Sequence, residues 1–194
     1  MYFEKLESQF RCNGSDGYLA WLDHLLGIRE TANFDGFNLN YELKVFDNPN
    51  ELRKAIEEKN KLNNQARLVA GYCWTWISSG KDRSDVHDIN LPKYDFHMSW
   101  NLANSQTWAI DPNSVNEIGC IHTSQGLEFE YVGVIFGLDM RFENGKIITD
   151  YTQRARTDNS LKGIKTLASK DPLKAQQIAD KIIRNTYRTL MTRG

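Results

Sequence analysis

A short polar stretch in the second half of the chain combines side chains that can grip a nucleotide. Residues 122–128 read His-Thr-Ser-Gln-Gly-Leu-Glu. The hydroxyls, the amide and the imidazole can hydrogen-bond to phosphate oxygens, and the glycine lets the backbone approach a ligand closely. The single carboxylate, that of Glu128, suits the hydroxyls of a ribose. These residue types favour a site for a phosphate chain and a sugar.

Two apolar segments must position this polar stretch. Residues 118–121 precede it and residues 131–136 follow it, and both patterns predict β-strands. Strands that are apolar on both faces are typical of a parallel sheet covered by helices, and ligands of such sheets bind at the carboxyl ends of the strands. Residues 122–128 emerge at such an end. The alternative is a strand-to-helix turn whose polar residues are incidental.

The rest of the chain alternates between helical and strand patterns. Apolar spacing and cap residues predict three helices, at residues 15–26, at residues 49–62 and from residues 171–172 onward. Alternating or continuous apolar runs predict strands at residues 41–46 and 66–72, and Asn144-Gly145 predicts a hairpin. This alternation favours an α/β domain with a mostly parallel sheet. The basic stretch of residues 151–169 is interpreted as a solvated, mobile loop, with contact to a phosphate backbone as the alternative.

Residues 73–111 form the least regular, loop-rich segment. Its four tryptophans are interpreted as core and loop packing, with stacking on bases as the alternative: Trp74, Trp76, Trp100 and Trp108. The sequence around Gly80-Lys81 lacks the other residues of a phosphate-binding loop of the Walker A type. The histidines and aspartates of this segment match no metal-ligand spacing, so we predict no metal site here.

Length and composition set bounds on the class of protein. A chain of 194 residues with 40% hydrophobic and 25% charged residues fits one ordinary globular domain. Its net charge of -1 gives no global signature of a nucleic-acid binder, so any basic groove must be local. The 3 cysteines are widely spaced, which favours reduced thiols in a cytoplasmic protein. No apolar run is long enough for a membrane span, so we expect no membrane partner.

Three segments resemble motifs of superfamily 1 helicases and occur in the helicase order. His-x-Ser-Gln-Gly-x-Glu-Phe at residues 122–129 is similar to motif V, and Leu-x-x-Gln-Phe-Arg-Cys at residues 6–12 is similar to motif IV. Asn-x-Tyr-Arg-x-Leu-x-Thr-Arg-Gly at residues 185–194 resembles motif VI. These resemblances imply that Arg11 reaches the terminal phosphate of a nucleotide and that Arg193 is an arginine finger, a planar cation that stabilises the transferring phosphoryl group.

Taken together, the motifs resemble the Schlafen group 3-like DNA/RNA helicase domain family. The resemblance implies a second, C-terminal RecA-like domain at residues 1–194, with a three-layer α/β fold. It implies catalytic roles for Arg11 and Arg193. Nucleotide contacts fall on four residues: Gln125, Gly126, Glu128 and Arg188. Contacts that couple the nucleotide to a nucleic-acid strand fall on His122, Thr123 and Ser124.

The sequence has no Walker A lysine and no Asp-Glu box to hold magnesium. We therefore expect a fragment of a longer protein, whose N-terminal RecA-like domain completes a site for ATP with Mg and whose substrate is single-stranded DNA or RNA. The isolated fragment is expected to be inactive. Two other functions stay open: a nucleotide-sensing or regulatory NTPase half without unwinding activity, and a non-enzymatic interaction module on a RecA-like scaffold.

Overall fold

A five-stranded, mostly parallel sheet forms the centre of the protein. The computed structural model describes residues 16–32, 41–77, 87–101 and 107–194. The strand order is β2-β3-β4-β1-β5, with all neighbouring pairs parallel except β2 and β3 at one edge. The strands are β1 (Ala66–Ala70), β2 (Ile89–Leu91), β3 (Phe96–Trp100), β4 (Glu117–Gly119) and β5 (Tyr131–Ile135). A separate antiparallel hairpin follows, formed by β6 (Met140–Glu143) and β7 (Lys146–Thr149).

Helices cover both faces of the sheet. The helices are α1 (Asp16–Leu25), α2 (Pro49–Asn63), α3 (Ile164–Lys170) and α4 (Pro172–Met191). Helix α2 contributes Ile56 to a core with Leu68 on one face of the sheet, whereas α1 and α4 share a second core with Val69 on the other face. Because side chains alternate along a strand, β1 supplies both cores. This three-layer α/β arrangement confirms the predicted fold class and is consistent with a RecA-like fold.

Local sequence signals explain where several elements begin and end. The Asn48 side chain accepts a hydrogen bond from the Asn50 amide at the start of α2, and Asn64 ends that helix with φ 60°. Asp171 caps α4 by accepting from the Lys174 amide, and a proline follows it at the first helical position. The predicted turn at Asn144-Gly145 joins β6 to β7. The three predicted helices and the hairpin are therefore confirmed.

Three predicted strands differ from the structure. Residues 41–46 form no strand, because the segment joins neither of the two sheets of the described residues, and Val45 is 88% exposed. The predicted strand at residues 66–72 ends at Ala70, and the strand predicted at residues 118–121 is β4, which ends at Gly119. After Gly119 the chain leaves the parallel ladder with β1 and turns, so residues 120 and 121 belong to the connection rather than the strand.

The interpretation of residues 151–169 as a solvated, mobile loop is wrong in that the segment is largely helical, although Arg156, Lys162 and Lys165 are exposed as expected. This segment contains two 3-10 helices, Tyr151–Gln153 and Asn159–Leu161, and most of α3. Arg154 is buried at 7% exposure and binds two aspartates, so it cannot lie along a phosphate backbone. The basic residue was mistaken for a surface group because the sequence does not show its buried partners.

The core interpretation of the tryptophans is confirmed. Trp100 and Trp108 are fully buried in the two cores, whereas Trp74 and Trp76 are partly buried and pack against the core that contains Trp100. Burial leaves Trp100 and Trp108 unable to stack on bases. Among the described residues, no helix is both long and apolar enough to cross a membrane.

Candidate functional site

The predicted site lies on a segment that runs from the carboxyl ends of the strands to their amino ends. We call residues 120–130 the crossover segment, because they join the carboxyl end of β4 to the amino end of β5 across β1. At its start, the segment turns through hydrogen bonds such as Ser124 N to Cys120 O, 3.0 Å. At its end, the amides of Glu130 and Tyr131 donate to Gln65 O, just before β1. The segment therefore runs from the carboxyl ends of the parallel strands to their amino ends. We call the side of the sheet at which the parallel strands end the carboxyl edge.

The residues predicted to contact nucleic acid lie at the carboxyl edge. His122 is exposed, and its ring lies 5.9 Å from the ring of Tyr72, which follows β1. The Thr123 hydroxyl donates to Asn101 Oδ1 at 3.1 Å, and Asn101 follows β3. Three adjacent strands, β3, β4 and β1, thus bring polar and aromatic side chains together at one edge, and residues 122–128 follow the carboxyl end of a strand, as predicted.

Ser124 has a different environment from its two neighbours. Its side chain is fully buried, and its hydroxyl donates to Cys120 O at 3.0 Å. A serine that bonds to the backbone of the preceding turn stabilises that turn. In this conformation the Ser124 hydroxyl holds the crossover segment in shape rather than facing solvent.

The residues predicted to contact the nucleotide lie further along the crossover segment and are exposed. They are Gln125, Gly126 and Glu128. Gly126 has φ +79°, and an added Cβ at this position would meet nothing within 4 Å. The backbone at Gly126 is therefore open to a ligand, and its conformation disfavours other residues. The Glu128 carboxylate is free to accept hydrogen bonds from hydroxyl groups of a sugar.

Arg193 is brought next to the end of the crossover segment. The Phe129 amide donates to Arg193 O at 2.7 Å, and Arg193 Nη1 donates to Leu127 O at 3.4 Å. These bonds flank Glu128 on both sides, so the segments similar to motifs V and VI meet in space. The Arg193 side chain is buried, with the residue 3% exposed. Arg11, the other predicted catalytic arginine, lies outside the described residues.

Arg188 forms an ion pair within the domain. Its guanidinium donates from Nε to Asp23 Oδ1 and, at 3.3 Å, from Nη2 to Asp23 Oδ2. Asp23 lies on α1 and is 7% exposed. The pair joins α1 to α4, which gives Arg188 a structural partner that the sequence pattern did not indicate. In the part of the chain that the structure describes, no group of three or more His, Cys, Asp or Glu side chains could hold a metal ion.

A buried ion cluster lies beside the carboxyl edge, formed by Asp139, Arg154 and Asp158. Arg154 Nη1 donates to Asp139 at 2.9 Å and Arg154 Nε donates to Asp158 at 2.8 Å. Burial lowers the pKa of Arg154, but the two carboxylates raise it above its ordinary value. Tyr187, on α4, donates from its hydroxyl to Asp139 Oδ1 at 2.5 Å and accepts from the Gly137 amide at 3.0 Å. The cluster therefore fixes α4 against the end of β5.

Burial favours the neutral form of two tyrosines and one cysteine near this edge. It raises the pKa of Tyr187, with a further contribution from Asp139, and it raises the pKa of the Cys73 thiol in the same way. Burial and the neighbouring Cys120 thiol raise the pKa of Tyr72. Neutral phenols and thiols here can donate hydrogen bonds but do not act as nucleophiles near neutral pH.

Sequence reasoning missed Asn101 and Asp139 as parts of the carboxyl edge. Asn101 directly follows a buried strand, which is a signal that could have found it. Asp139 follows the apolar strand β5 within the Gly-Leu-Asp sequence, and its role depends on Arg154 and Tyr187, which lie far along the chain. No local pattern predicts those partners.

Comparisons with known proteins extend these observations. A family model described as Schlafen group 3, DNA/RNA helicase domain, matches residues 2–194. The chain is also similar to "Uncharacterized protein YPL245W" of Saccharomyces cerevisiae, with 24% identity over 204 residues that cover 97% of this chain and 43% of that protein. The chain therefore spans less than half the length of that relative. No solved structure matches the chain.

Proposed function

Because the chain belongs to the Schlafen group 3 DNA/RNA helicase domain family, we propose that it is the C-terminal RecA-like domain of an ATP-dependent helicase or translocase. The crossover segment and Arg193 form one side of an ATP site, which an N-terminal RecA-like domain of the same protein completes. One observation supports the proposal most: the hydrogen bonds of Arg193 with Leu127 and Phe129, which place Glu128 beside the end of α4.

In this proposal the two ends of the crossover segment contact different ligands. At the carboxyl edge of the sheet, His122 and Thr123 contact a single strand of DNA or RNA. Gln125, Gly126 and Glu128 contact the nucleotide, with the Glu128 carboxylate accepting from the ribose hydroxyls. One continuous stretch of backbone then connects the strand to the nucleotide.

The crossover segment and Arg193 offer contacts for a nucleotide but no cluster of ligands for its Mg²⁺. An open glycine backbone at Gly126, the exposed carboxylate of Glu128 and the guanidinium of Arg193 next to Leu127 are suited to a sugar and a phosphate chain. Mg²⁺ on ATP neutralises phosphate charge during phosphoryl transfer, and its protein ligands belong in this proposal to the N-terminal domain. Arg11 and Arg193 stabilise the charge that develops on the transferred phosphoryl group.

Arg193 must change its contacts to act in this way. Its guanidinium is buried against Leu127 O in this conformation. When the second domain closes over ATP, the side chain exchanges that carbonyl for a phosphate oxygen, which is a stronger, charge-assisted partner. Arg188 stays paired with Asp23 and keeps α4 aligned. Its nucleotide contact, expected from the motif, then requires the pair to open.

The proposal is tested in the full-length protein by ATP turnover. Replacing Arg193→Ala should lower kcat by about a hundredfold or more, since arginine fingers contribute about 10³–10⁵ in rate. Arg193→Lys keeps the charge but not the planar fork, so it should restore little activity. Thermal unfolding of each variant shows whether the buried side chain was needed for folding. Turnover that persists in a folded Arg193→Ala protein would rule out the finger role of Arg193, whereas a full-length protein without any ATP turnover would favour the non-enzymatic interaction module.

A matched pair of glutamates tests the ribose contact. Glu128 and Glu130 are both exposed and lie two residues apart, but only Glu128 belongs to the proposed site. Glu128→Gln should weaken ATP binding about tenfold, as expected for a lost charge-assisted hydrogen bond of ~1.5 kcal/mol, whereas Glu130→Gln should not. The measurement is equilibrium titration with a fluorescent ATP analogue. Equal affinities for the two variants would remove Glu128 from the site.

Nucleic-acid binding separates the helicase from a nucleotide sensor. A helicase or translocase should bind single-stranded DNA or RNA with an affinity that falls as salt is added, because phosphate contacts release counterions. A full-length protein that hydrolyses ATP but binds neither strand at low salt would be a sensor. Gel-shift titrations at a series of salt concentrations provide the measurement.

A further inference from the structure

Phe136 presents an aromatic ring at the carboxyl edge of the sheet. It directly follows β5, and its side chain is 44% exposed. One face of the ring stacks on Tyr187, with centroids 4.6 Å apart and an interplanar angle of 15°. A large apolar side chain that is supported on one side and open to solvent on another can receive a flat ligand.

The ring that supports Phe136 is held firmly. Tyr187 is fully buried, and its hydroxyl bonds both to the Gly137 amide and to Asp139 of the buried ion cluster. Gly71 lies against the same ring, since an added Cβ there would come within 2.3 Å of the Tyr187 hydroxyl. The supporting ring therefore does not need to be ordered when a ligand binds, which favours affinity.

Phe136 shares its edge with the proposed nucleic-acid contacts. It follows β5, whereas His122 and Thr123 follow β4, and only β1 separates these strands. Neighbouring strands are about 4.8 Å apart, so the two strand ends lie about 10 Å from each other. One extended strand of nucleic acid can therefore contact both.

We propose that Phe136 is a stacking platform for an unpaired base of single-stranded DNA or RNA. The proposal rests on the proposed function, because it names a base contact for the single-stranded nucleic acid that His122 and Thr123 contact. Every nucleobase has a flat π-face, so the platform accepts any base and adds affinity without sequence preference.

A second phenylalanine offers a matched control. Phe142, on β6, is 67% exposed, which is more than Phe136. No ring contact with another described residue supports it. If exposure alone mattered, Phe142 would bind bases at least as well as Phe136. The supported ring predicts the opposite.

The test measures binding of fluorescein-labelled oligo(dT) and oligo(U) to the full-length protein by fluorescence anisotropy. Phe136→Ala should raise Kd about 5- to 140-fold, the equivalent of ~1–3 kcal/mol per stacked base at 1.4 kcal/mol per factor of ten. Phe142→Ala should leave Kd unchanged. Phe136→Trp should retain affinity, and its added tryptophan fluorescence should be quenched by the oligonucleotide beyond the change seen in the wild-type protein. An abasic oligonucleotide should bind the wild type and Phe136→Ala equally.

Each other outcome overturns the platform in a recognisable way. If the wild type binds the oligonucleotides and Phe136→Ala binds equally well, the platform is wrong while the proposed strand binding stands. If Phe136→Leu keeps full affinity, the contact is apolar and not stacking. If the abasic strand loses as much affinity as the normal one in Phe136→Ala, the substitution has disturbed the edge itself. If the wild type binds no strand, the proposed function fails and the platform fails with it.

Discussion

The buried ion cluster predicts a large loss of stability when its cation is removed. Arg154 bonds to Asp139 and Asp158, whose side chains are 0% and 3% exposed. Arg154→Met replaces the apolar stem of the side chain with one of similar size but leaves two carboxylates buried without their cation. Breaking a buried pair by removing one partner costs about 3–5 kcal/mol, because the remaining charge is desolvated and uncompensated.

This cost translates into a measurable shift of the melting temperature. An unfolding entropy of about 2.1 cal/mol/K per residue gives roughly 0.4 kcal/mol/K for a chain of 194 residues. The expected decrease in Tm is therefore about 7–12 °C, measured by circular dichroism or calorimetry. Arg156→Met is the matched control, since Arg156 is exposed and lies two residues away. Its effect should stay within about 0.5 kcal/mol.

A further variant tests whether unpaired charge causes the loss. Adding Asp139→Asn and Asp158→Asn to Arg154→Met removes both buried charges and leaves amide oxygens that can still accept hydrogen bonds. Replacing all members of a buried ion pair is often far less costly than removing one. The triple variant should therefore be more stable than Arg154→Met alone. An Arg154→Met protein as stable as Arg156→Met, or a triple variant less stable than the single one, would refute the reasoning.

Two further predictions concern the packing around this edge. Because burial raises the pKa of Cys73, the unfolded chain releases that proton near pH 8.5 while the folded chain keeps it, so stability is complete below that pH and falls as pH rises. Urea unfolding between about pH 8 and about pH 10 should show a decline of up to ~1.4 kcal/mol per pH unit, and Cys73→Ala should reduce this slope; an unchanged slope would contradict the assignment. Gly71→Ala should cost about 1–3 kcal/mol by overpacking against Tyr187. The penalty should be smaller in a Tyr187→Phe background, and a double-mutant cycle with no coupling would show that the hydroxyl is not the obstacle.

Local signals in the sequence were sufficient for the elements that depend on near neighbours. The cap and proline at Asp171-Pro172 predicted the start of α4, and Asn144-Gly145 predicted the hairpin turn. A strand depends on a partner elsewhere in the chain. Alternation at residues 41–46 therefore suggested a strand, but the segment joins neither of the sheets formed by the described residues and leaves Val45 exposed.

For the candidate site, too, the sequence predicted the positions of residues but not their distant partners. The order of apolar and polar residues placed His122 and Thr123 at the carboxyl edge, and the structure agrees. Burial of Arg193 and the pairing of Arg188 with Asp23 were not predictable, because the residues that enclose or bind them lie 66 and 165 positions away. Charges on single arginines look alike in a sequence whether they face solvent or a carboxylate.

The crossover segment offers a physical route by which the two proposed ligands could affect each other's binding. A strand held at His122 and a nucleotide held at Glu128 would share one stretch of backbone that Ser124 and Phe129 tie to the sheet and to α4. If the bound nucleic acid changes the affinity for the nucleotide by some factor, the nucleotide must change the affinity for the nucleic acid by the same factor, since the free energy of coupling is reciprocal. Titrating each ligand in the presence of the other should therefore return a single common factor.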